Sequence, residues 1–255
     1  MKALGQKQVR NTNIWRYMDF VKYVSMLKEK SLFFARADTL GDPFEGSLPY
    51  KHQELRQEYV RELESRDPNF AMVWQDSVPK LRKFLPKCVF VNSWHINPLE
   101  SAGMWKLYGD NNRSISIFSD VNRLRKCLSH DTTHGKIKIK KVSYLNFFKE
   151  SIPENDDFLF PFYVKHKSYE HEKEIRALIC DLPVTGTRSQ PSIIDLNANF
   201  PDGINVEVDL EKLIFAIYVS PSSPSWFADL VADVTKTYGY NFPVNKSALD
   251  SDPFF

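Results

Sequence analysis

The sequence predicts an α+β protein, a single domain (residues 1–255) on a mixed, mostly antiparallel sheet. A helical insertion falls near residues 51–85 and a strand–helix–strand unit near the C-terminal end. Three observations carry this. Strand-length apolar runs and helical periodicities are interspersed along the whole chain. The stretch from Lys51 to Leu85 is rich in Glu, Gln, Arg and Lys, with Leu55, Tyr59, Val60 and Leu63 at helical spacing. Near the end, Ser223-Pro224 precedes an apolar helical stripe and Gly239 follows it, the residue types that start and stop a helix.

In chain order, residues 1–12 are polar and expected to be loose. Ile14–Tyr17 reads as a strand, and Phe20–Lys28 as a helix with Val21, Val24 and Leu27 at helical spacing. Leu32–Arg36 is a second strand, and Asp42-Pro43 forces a turn because the residue before proline avoids the helical region. Two helices broken at Asp67-Pro68 account for 51–85, a stretch too polar to carry its own core. Cys88–Ser93 is a strand and Leu99–Tyr108 a helix. Arg113–Phe118, Lys136–Tyr144, Phe158–Lys165, Glu172–Cys180 and Leu213–Ser220 are further strands, with Lys136, Lys138 and Lys140 on one face of theirs. A helix striped by Trp226, Phe227, Leu230, Val231 and Val234 leads to a last strand, Tyr240–Val244.

Composition excludes several classes. Lys plus Arg number 34 and Asp plus Glu 32, a net charge of +2 that gives no whole-molecule attraction to nucleic acid or an anionic membrane. Glycine numbers only 9, no G-x-G-x-x-G occurs, and the Gly41–Ser47 stretch carries two carboxylates where a P-loop would cradle phosphate. Cys88, Cys127 and Cys180 form no C-x-x-C, so a zinc ribbon and thioredoxin-type chemistry are not expected, and no metal is expected as cofactor. Free thiols, no apolar signal core at the N-terminus and no long apolar run lead to the expectation of a cytoplasmic protein without a membrane span.

Three constellations could carry chemistry. Trp15-Arg16-Tyr17, with Arg36, Asp42 and Glu45, offers guanidinium forks for a phosphate or carboxylate; alternatively Arg16 pairs with Asp42 or Glu45 and orders the turn. Ser93 and His95, followed by Trp105 and Tyr108 on a helix, offer an acid–base group and a slot for a planar ring; alternatively Trp105 is core. The sharpest is Lys167 with Glu172, Glu174 and Arg176. On a strand the last three would share a face, where two carboxylates and a guanidinium could orient a sugar hydroxyl or stabilise an oxocarbenium ion. A helical Glu172–Arg176 pair or a solvated charged face is the alternative. His130-x-x-x-His134 has helical metal spacing but reads as a loop, and the lysine row more often guards a strand edge.

At these residues the chain resembles a broad bacterial family of domains of unknown function. The resemblance runs from Trp15 over nearly the whole chain: Trp15-Arg16-Tyr17, Asp42-Pro43-Phe44-Glu45-Gly46, Ser93-Trp94-His95, Met104-Trp105-Lys106-Leu107-Tyr108, and Lys167-Ser168-Tyr169-Glu170-His171-Glu172-Lys173-Glu174-Ile175-Arg176. Where that family usually has a glycine, this sequence has Asn111-Asn112-Arg113. The motif order is also remotely similar to ADP-ribosyltransferases, which implies a nucleotide-using transferase with NAD as substrate. In that resemblance Arg16 binds the ribose or diphosphate and an aromatic ring stacks on nicotinamide. Glu174 holds the ribose hydroxyl and Glu172 polarises the acceptor. Arg16, Glu172 and Glu174 are therefore the catalytic candidates; Tyr17, Arg36, Asp42, Glu45, Ser93, His95, Trp105, Tyr108, Lys167 and Arg176 are the ligand-binding ones.

Two other readings stand beside it. One is a metal-dependent nuclease using Asp42, Glu45, Glu172 and Glu174. The other is a non-catalytic sensor or binding module for a nucleotide or small molecule, in phage defence as the family resemblance implies. The nature of any protein or nucleic-acid acceptor is left open.

Overall fold

The computed structural model describes residues 12–108, 113–129, 131, 133–152, 157–185, 193–221 and 223–251. Residues 1–11 of the segment expected to be loose (1–12), Asn111-Asn112 and His130 lie outside them. The elements run β1 (Asn13–Asp19), α1 (Phe20–Glu29), β2 (Ser31–Arg36), α2 (Tyr50–Arg66), α3 (Pro68–Cys88), β3 (Val89–Ile96), α4 (Ala102–Tyr108), β4 (Ser114–Asp120), α5 (Val121–Leu128), β5 (Lys138–Lys141) and β6 (Ser143–Leu145). There follow β7 (Val164–His166), β8 (Glu174–Cys180), β9 (Val184–Thr185), β10 (Ile193–Ile194), β11 (Gly203–Glu207), α6 (Leu210–Leu213), β12 (Ala216–Val219), α7 (Ser225–Thr237) and β13 (Val244–Lys246). The class is α+β, as the sequence predicts. Among the described residues no helix is long and apolar enough to cross a membrane.

The main sheet has the order β11-β2-β3-β1-β4-β12-β13, with β8 on the other edge of β3 and β5 beyond it. Every pairing in it is antiparallel except β12 with β13. β3 is the pivot. Along one edge it pairs with β8 from Val89 to His95. Its other edge is shared: β2 takes Phe90 and Val91, and β1 takes His95 and Ile96. β1 and β2 therefore run parallel to each other, joined by α1, and diverge from β3 as the two tines of a fork. Between them Asn92–Trp94 has no strand partner on that edge. Side chains replace the missing ladder: Arg16 Nη1 donates to the Ser93 carbonyl (3.2 Å), and Arg16 Nη2 (3.3 Å) and Asn92 Nδ2 (2.9 Å) both donate to that of Phe33.

Both faces of the sheet are covered. Ile14, Met18, Trp94, Ile175 and Ala177 face α1, α5 and α7, which contribute Tyr23, Leu27, Leu124, Phe227 and Val231 to the largest core cluster. The opposite face buries Val89, Val91 and Leu178 against Phe84, Leu85 and Cys88 of α3. The insertion thus stands on the sheet by one end of one helix. Its expected break is real: Asp67 ends α2, its side chain accepts from Phe70 N (3.0 Å), and Pro68 opens α3 without needing a donor.

Several elements differ from expectation for local reasons. Phe158–Lys165 is not one strand but a 3-10 turn (Phe160–Tyr163) leading into short β7, because Pro161 offers no ladder donor and the Phe162 carbonyl is taken by Arg176 (2.8 Å). Lys136–Tyr144 splits into β5 and β6, and Lys138 and Lys140 both pair with Asp157 (3.1 and 2.9 Å) instead of lying free along an edge. Leu213–Ser220 yields strand only from Ala216, since Asp209 caps a short helix that ends at Leu213. α7 starts after Pro224, one residue later than expected, and Gly239 follows it at φ +86. The last strand is Val244–Lys246 rather than Tyr240–Val244.

One glycine is required by the site. Gly46 has φ +70, and a Cβ there would overlap the ring of Phe162. Phe162 is 1% exposed and cannot swing away. Gly46→Ala is expected to cost about 2 kcal/mol from backbone strain plus overpacking, lowering the melting temperature by roughly 4–8 °C. Thermal unfolding followed by circular dichroism checks this; an unchanged midpoint would show that the turn re-forms.

Candidate functional site

A cleft of about 790 Å³ opens at the fork. Its walls are β1, β2, β3, the start of β8, the turn at Gly41–Glu45, and Tyr108 at the end of α4. Alternation along the strands decides what each contributes. Arg16 shares a sheet face with Ile14 and Met18 and lies over the ring of Trp94, 5.9 Å from its centroid. Ser93, His95, Glu174 and Arg176 lie on the opposite face, since Ser93 is paired with Arg176 and His95 with Glu174. In a continuous sheet the two sets would be sealed from each other. The fork lets both reach one cavity.

Arg16 makes only hydrogen bonds to carbonyls; among the described residues it has no carboxylate within 4.0 Å. The expected pairing with Asp42 or Glu45 does not form. Asp42 instead accepts from the Phe44 amide (2.9 Å), and Glu45 turns to Arg176. Burial pulls the Arg16 guanidinium down to about 10, against a smaller raising influence from Tyr108, so it is still cationic at neutral pH.

The opposite wall is a buried ionic cluster. Arg176, 2% exposed, grips Glu45 with both terminal nitrogens (2.5 and 3.0 Å) and Glu174 through Nε (2.5 Å). Lys165 reaches both Glu172 (2.5 Å) and Glu174 (2.9 Å), and Ser93 Oγ donates to Glu174 (2.9 Å). Glu172 comes from the turn before β8, not from the strand: it ends the 3-10 segment Lys167–Glu172, and Lys173 at φ 41 reverses the chain so that Glu172 and Glu174 meet.

The cluster holds three carboxyls against two cations, and the environment separates the carboxyls. Burial works against charge on Glu174. Arg176, the hydrogen bond with Glu172, and Lys165 outweigh it and hold its carboxyl well below the usual range. Burial, then the Glu174 partner, pushes Glu172 up to about 7, with Lys165 opposing. One group is thus a fixed anion and its neighbour an acid poised near neutrality, the division of labour that acid–base sites use. His95 is held neutral by burial, which lowers it. Its Nδ1 bonds the Glu172 carbonyl at 2.6 Å, and Nε2 is buried with no partner among the described residues. In the neutral ring that nitrogen is an acceptor.

Of the residues named from sequence, the structure brings Arg16, Tyr17, Asp42, Glu45, Ser93, His95, Tyr108, Glu172, Glu174 and Arg176 to the cleft. Three others stand apart. Arg36 pairs with Asp38 and Asp202 and donates to the Phe200 carbonyl. Trp105 is core: it packs edge-on to Tyr17 (4.9 Å) and bonds Glu100 (3.0 Å), leaving Tyr108 as the only ring of the expected pair on the cleft. Lys167 is exposed, outside the cleft lining. Three partners escaped sequence reading. Lys165 joins the two glutamates, Tyr169 lies 4.6 Å from its ammonium, and Tyr144 Oη accepts from the Glu174 amide (2.7 Å). The available signal was a lysine directly after the apolar run Phe158–Val164, where a buried charge must find partners.

Comparison of the chain with protein-family models, curated proteins and solved structures finds no match.

Proposed function

We propose that the cleft binds a nucleotide and that the chain is an ADP-ribosyltransferase-like enzyme with NAD as its first-choice substrate. The observation that supports it is the fork, which sets on one cavity a guanidinium with no carboxylate partner among the described residues and a glutamate pair of divergent pKa. The volume is within the range of about 300–1,000 Å³ usual for ligand pockets. Arg16 takes the diphosphate with a charge-assisted fork. The Tyr108 ring, at the cleft mouth, lies against the planar base. The Glu174 carboxylate, with every oxygen already engaged, does not move to the ribose. It supplies fixed negative charge toward the cation that develops as the glycosidic bond to nicotinamide breaks. Glu172 bonds the ribose hydroxyl and, once ionised, takes the proton of the incoming acceptor. Glu172 thereby takes over the ribose contact expected of Glu174 and keeps its own role toward the acceptor.

A second reading has an observation of its own. Glu174 is saturated by Ser93, Lys165 and Arg176, as in a cluster that only fixes the fold. The cleft would then serve a non-catalytic nucleotide sensor, consistent with a place in phage defence. The nuclease reading is weaker, because a metal on Glu45 and Glu174 would have to displace Arg176 from both.

Chromatographic assay of NAD, with melting temperature measured against NAD and ADP-ribose, separates these. Transferase action predicts NAD loss and nicotinamide release by the wild type. Arg16→Ala is expected to weaken nucleotide binding tenfold or more, about 1.4 kcal/mol or above. A nucleotide-induced shift without NAD loss selects the sensor. The absence of both a shift and NAD consumption would overturn nucleotide binding.

A further inference from the structure

Outside the cleft, α2 and α3 enclose a groove of about 740 Å³ whose charges do not balance. Arg56 and Arg61 of α2 and Arg82 and Lys83 of α3 line it, with His52; Glu64 is the acid among the lining residues, and it accepts from Gln75 (2.6 Å). None of the four cations has a carboxylate within 4.0 Å among the described residues. The sequence of α2 arranges this. His52, Arg56 and Val60 follow each other at four-residue steps on the groove side, while Glu54, Glu58 and Glu62 repeat at the same step roughly 200° around the helix. The Glu54, Glu58 and Glu62 row is therefore turned away from Arg56, and Glu64 is the acid that the groove keeps.

Two atoms separate this groove from an ordinary solvated charged face. Arg82 Nε and His52 Nδ1 are both shut off from water and have no hydrogen-bond partner among the described residues. A buried polar atom without a partner is costly, and folded chains tolerate few. Here both belong to residues that line the same groove, beside like charges. Burial and then Arg56 lower the Arg82 guanidinium, and burial and then Arg82 lower His52. Guanidinium forks and a ring N–H that lack anions match the oxygens of phosphate.

We propose that the groove between α2 and α3 is a second anion site, taking a ligand that bears two or more phosphate groups. Four cations on two facing helices exceed what one phosphate needs. The ligand is either a free polyphosphate compound or the phosphodiester backbone of a single strand, and its phosphates would meet Arg56, Arg82 and the His52 ring. Gly46 and Ser47 line this groove while Glu45 lines the cleft, so a single turn separates the two sites.

The test uses the full chain at low ionic strength, with sodium tripolyphosphate as probe. A hundredfold excess over its Kd should raise the wild-type melting temperature by about 5 °C or more. The shift should vanish in an Arg56→Ala/Arg82→Met double variant and persist in Arg16→Ala, which disables only the cleft. His52, assigned by comparison with His52→Gln in NMR titrations, should titrate at higher pH with tripolyphosphate present. Without ligand, Arg82→Met should melt at or above the wild-type temperature, since it removes a half-buried guanidinium with no carboxylate partner among the described residues; a structural arginine would show the reverse. A fluorescent single-stranded oligonucleotide distinguishes the sources. Binding that tripolyphosphate competes away identifies a strand, and tripolyphosphate binding alone identifies a free polyphosphate. The proposal is overturned if neither probe binds, if the shift follows Arg16 rather than Arg56 and Arg82, or if Arg82→Met melts lower and keeps the shift.

Discussion

Replacing Arg176 with methionine is expected to cost about 3–5 kcal/mol of stability, the range for breaking a buried ion pair from one side. The guanidinium is 2% exposed and is the shared partner of Glu45 and Glu174. Although burial works to lower it, the two glutamates hold its pKa above the ordinary arginine value. Methionine fills much of the same volume, so a cavity is not the main loss. The loss is electrostatic: two carboxylates are left facing each other, and the Phe162 carbonyl loses its donor. Both glutamates would respond by taking up protons, which makes the variant's stability fall more steeply above neutral pH. Urea denaturation at pH 7 measures the effect. Adding Glu45→Leu should recover part of it, because removing both partners of a buried pair costs less than removing one. A single variant within 1 kcal/mol of wild type would show that water reaches the cluster.

The second large effect is on activity. Glu172→Gln is expected to lower turnover by roughly 10²–10⁴-fold, the usual contribution of a positioned acid–base group. The wild-type rate should rise through a limb centred near pH 7, where Glu172 ionises, and that limb should disappear in the variant. Stability supplies an independent readout. The folded pKa of Glu172 lies above its ordinary value of 4.5, so the native state binds this proton more tightly than the unfolded chain. Stability is therefore full below pH 4.5 and declines as pH rises to about 7, by something on the order of 2–3 kcal/mol for a side chain this buried. Glu174 acts in the opposite sense. Its depressed pKa contributes stability above the ordinary carboxylate range that is lost as pH falls below it. The wild type should be most stable near pH 5. Glu172→Gln should match it in mild acid and exceed it at pH 8. Equal slopes on the alkaline side would remove Glu172 from the role assigned here.

Much of the framework could be read from residue order, because its causes are local. Asp67-Pro68 ends one helix and caps the next, and Gly239 follows the last helix whatever surrounds it. Ile175, Ala177 and Ile179 point to the core as their alternation requires. The errors have local causes too: Phe158–Lys165 looks like a strand by composition, yet Pro161 and the claim of Arg176 on Phe162 turn it into a 3-10 segment. The site was legible as residue types and not as geometry. Glu174 and Arg176 share a face by strand alternation, as read, whereas Glu172 joins them only through the left-handed Lys173. Arg36 and Arg16 look alike on paper; the folded chain gives one of them Asp38 and Asp202 and leaves the other without a carboxylate partner among the described residues. The sharing of one β3 edge between two strands is a long-range property that no window of sequence contains.

That divided edge has a chemical corollary. The carbonyls of Phe33 and Ser93 are capped by a movable side chain, so they can change donors on the timescale of a rotamer flip, with no backbone unzipping. A guest that draws Arg16 toward its phosphates uncovers the Ser93 oxygen, while Asn92 still holds that of Phe33. A carboxamide or an exocyclic amine can cover the Ser93 oxygen again, whereas a bare sugar phosphate has no N–H to give. Under the proposed function, this favours guests that pair an anion with an amide-bearing ring.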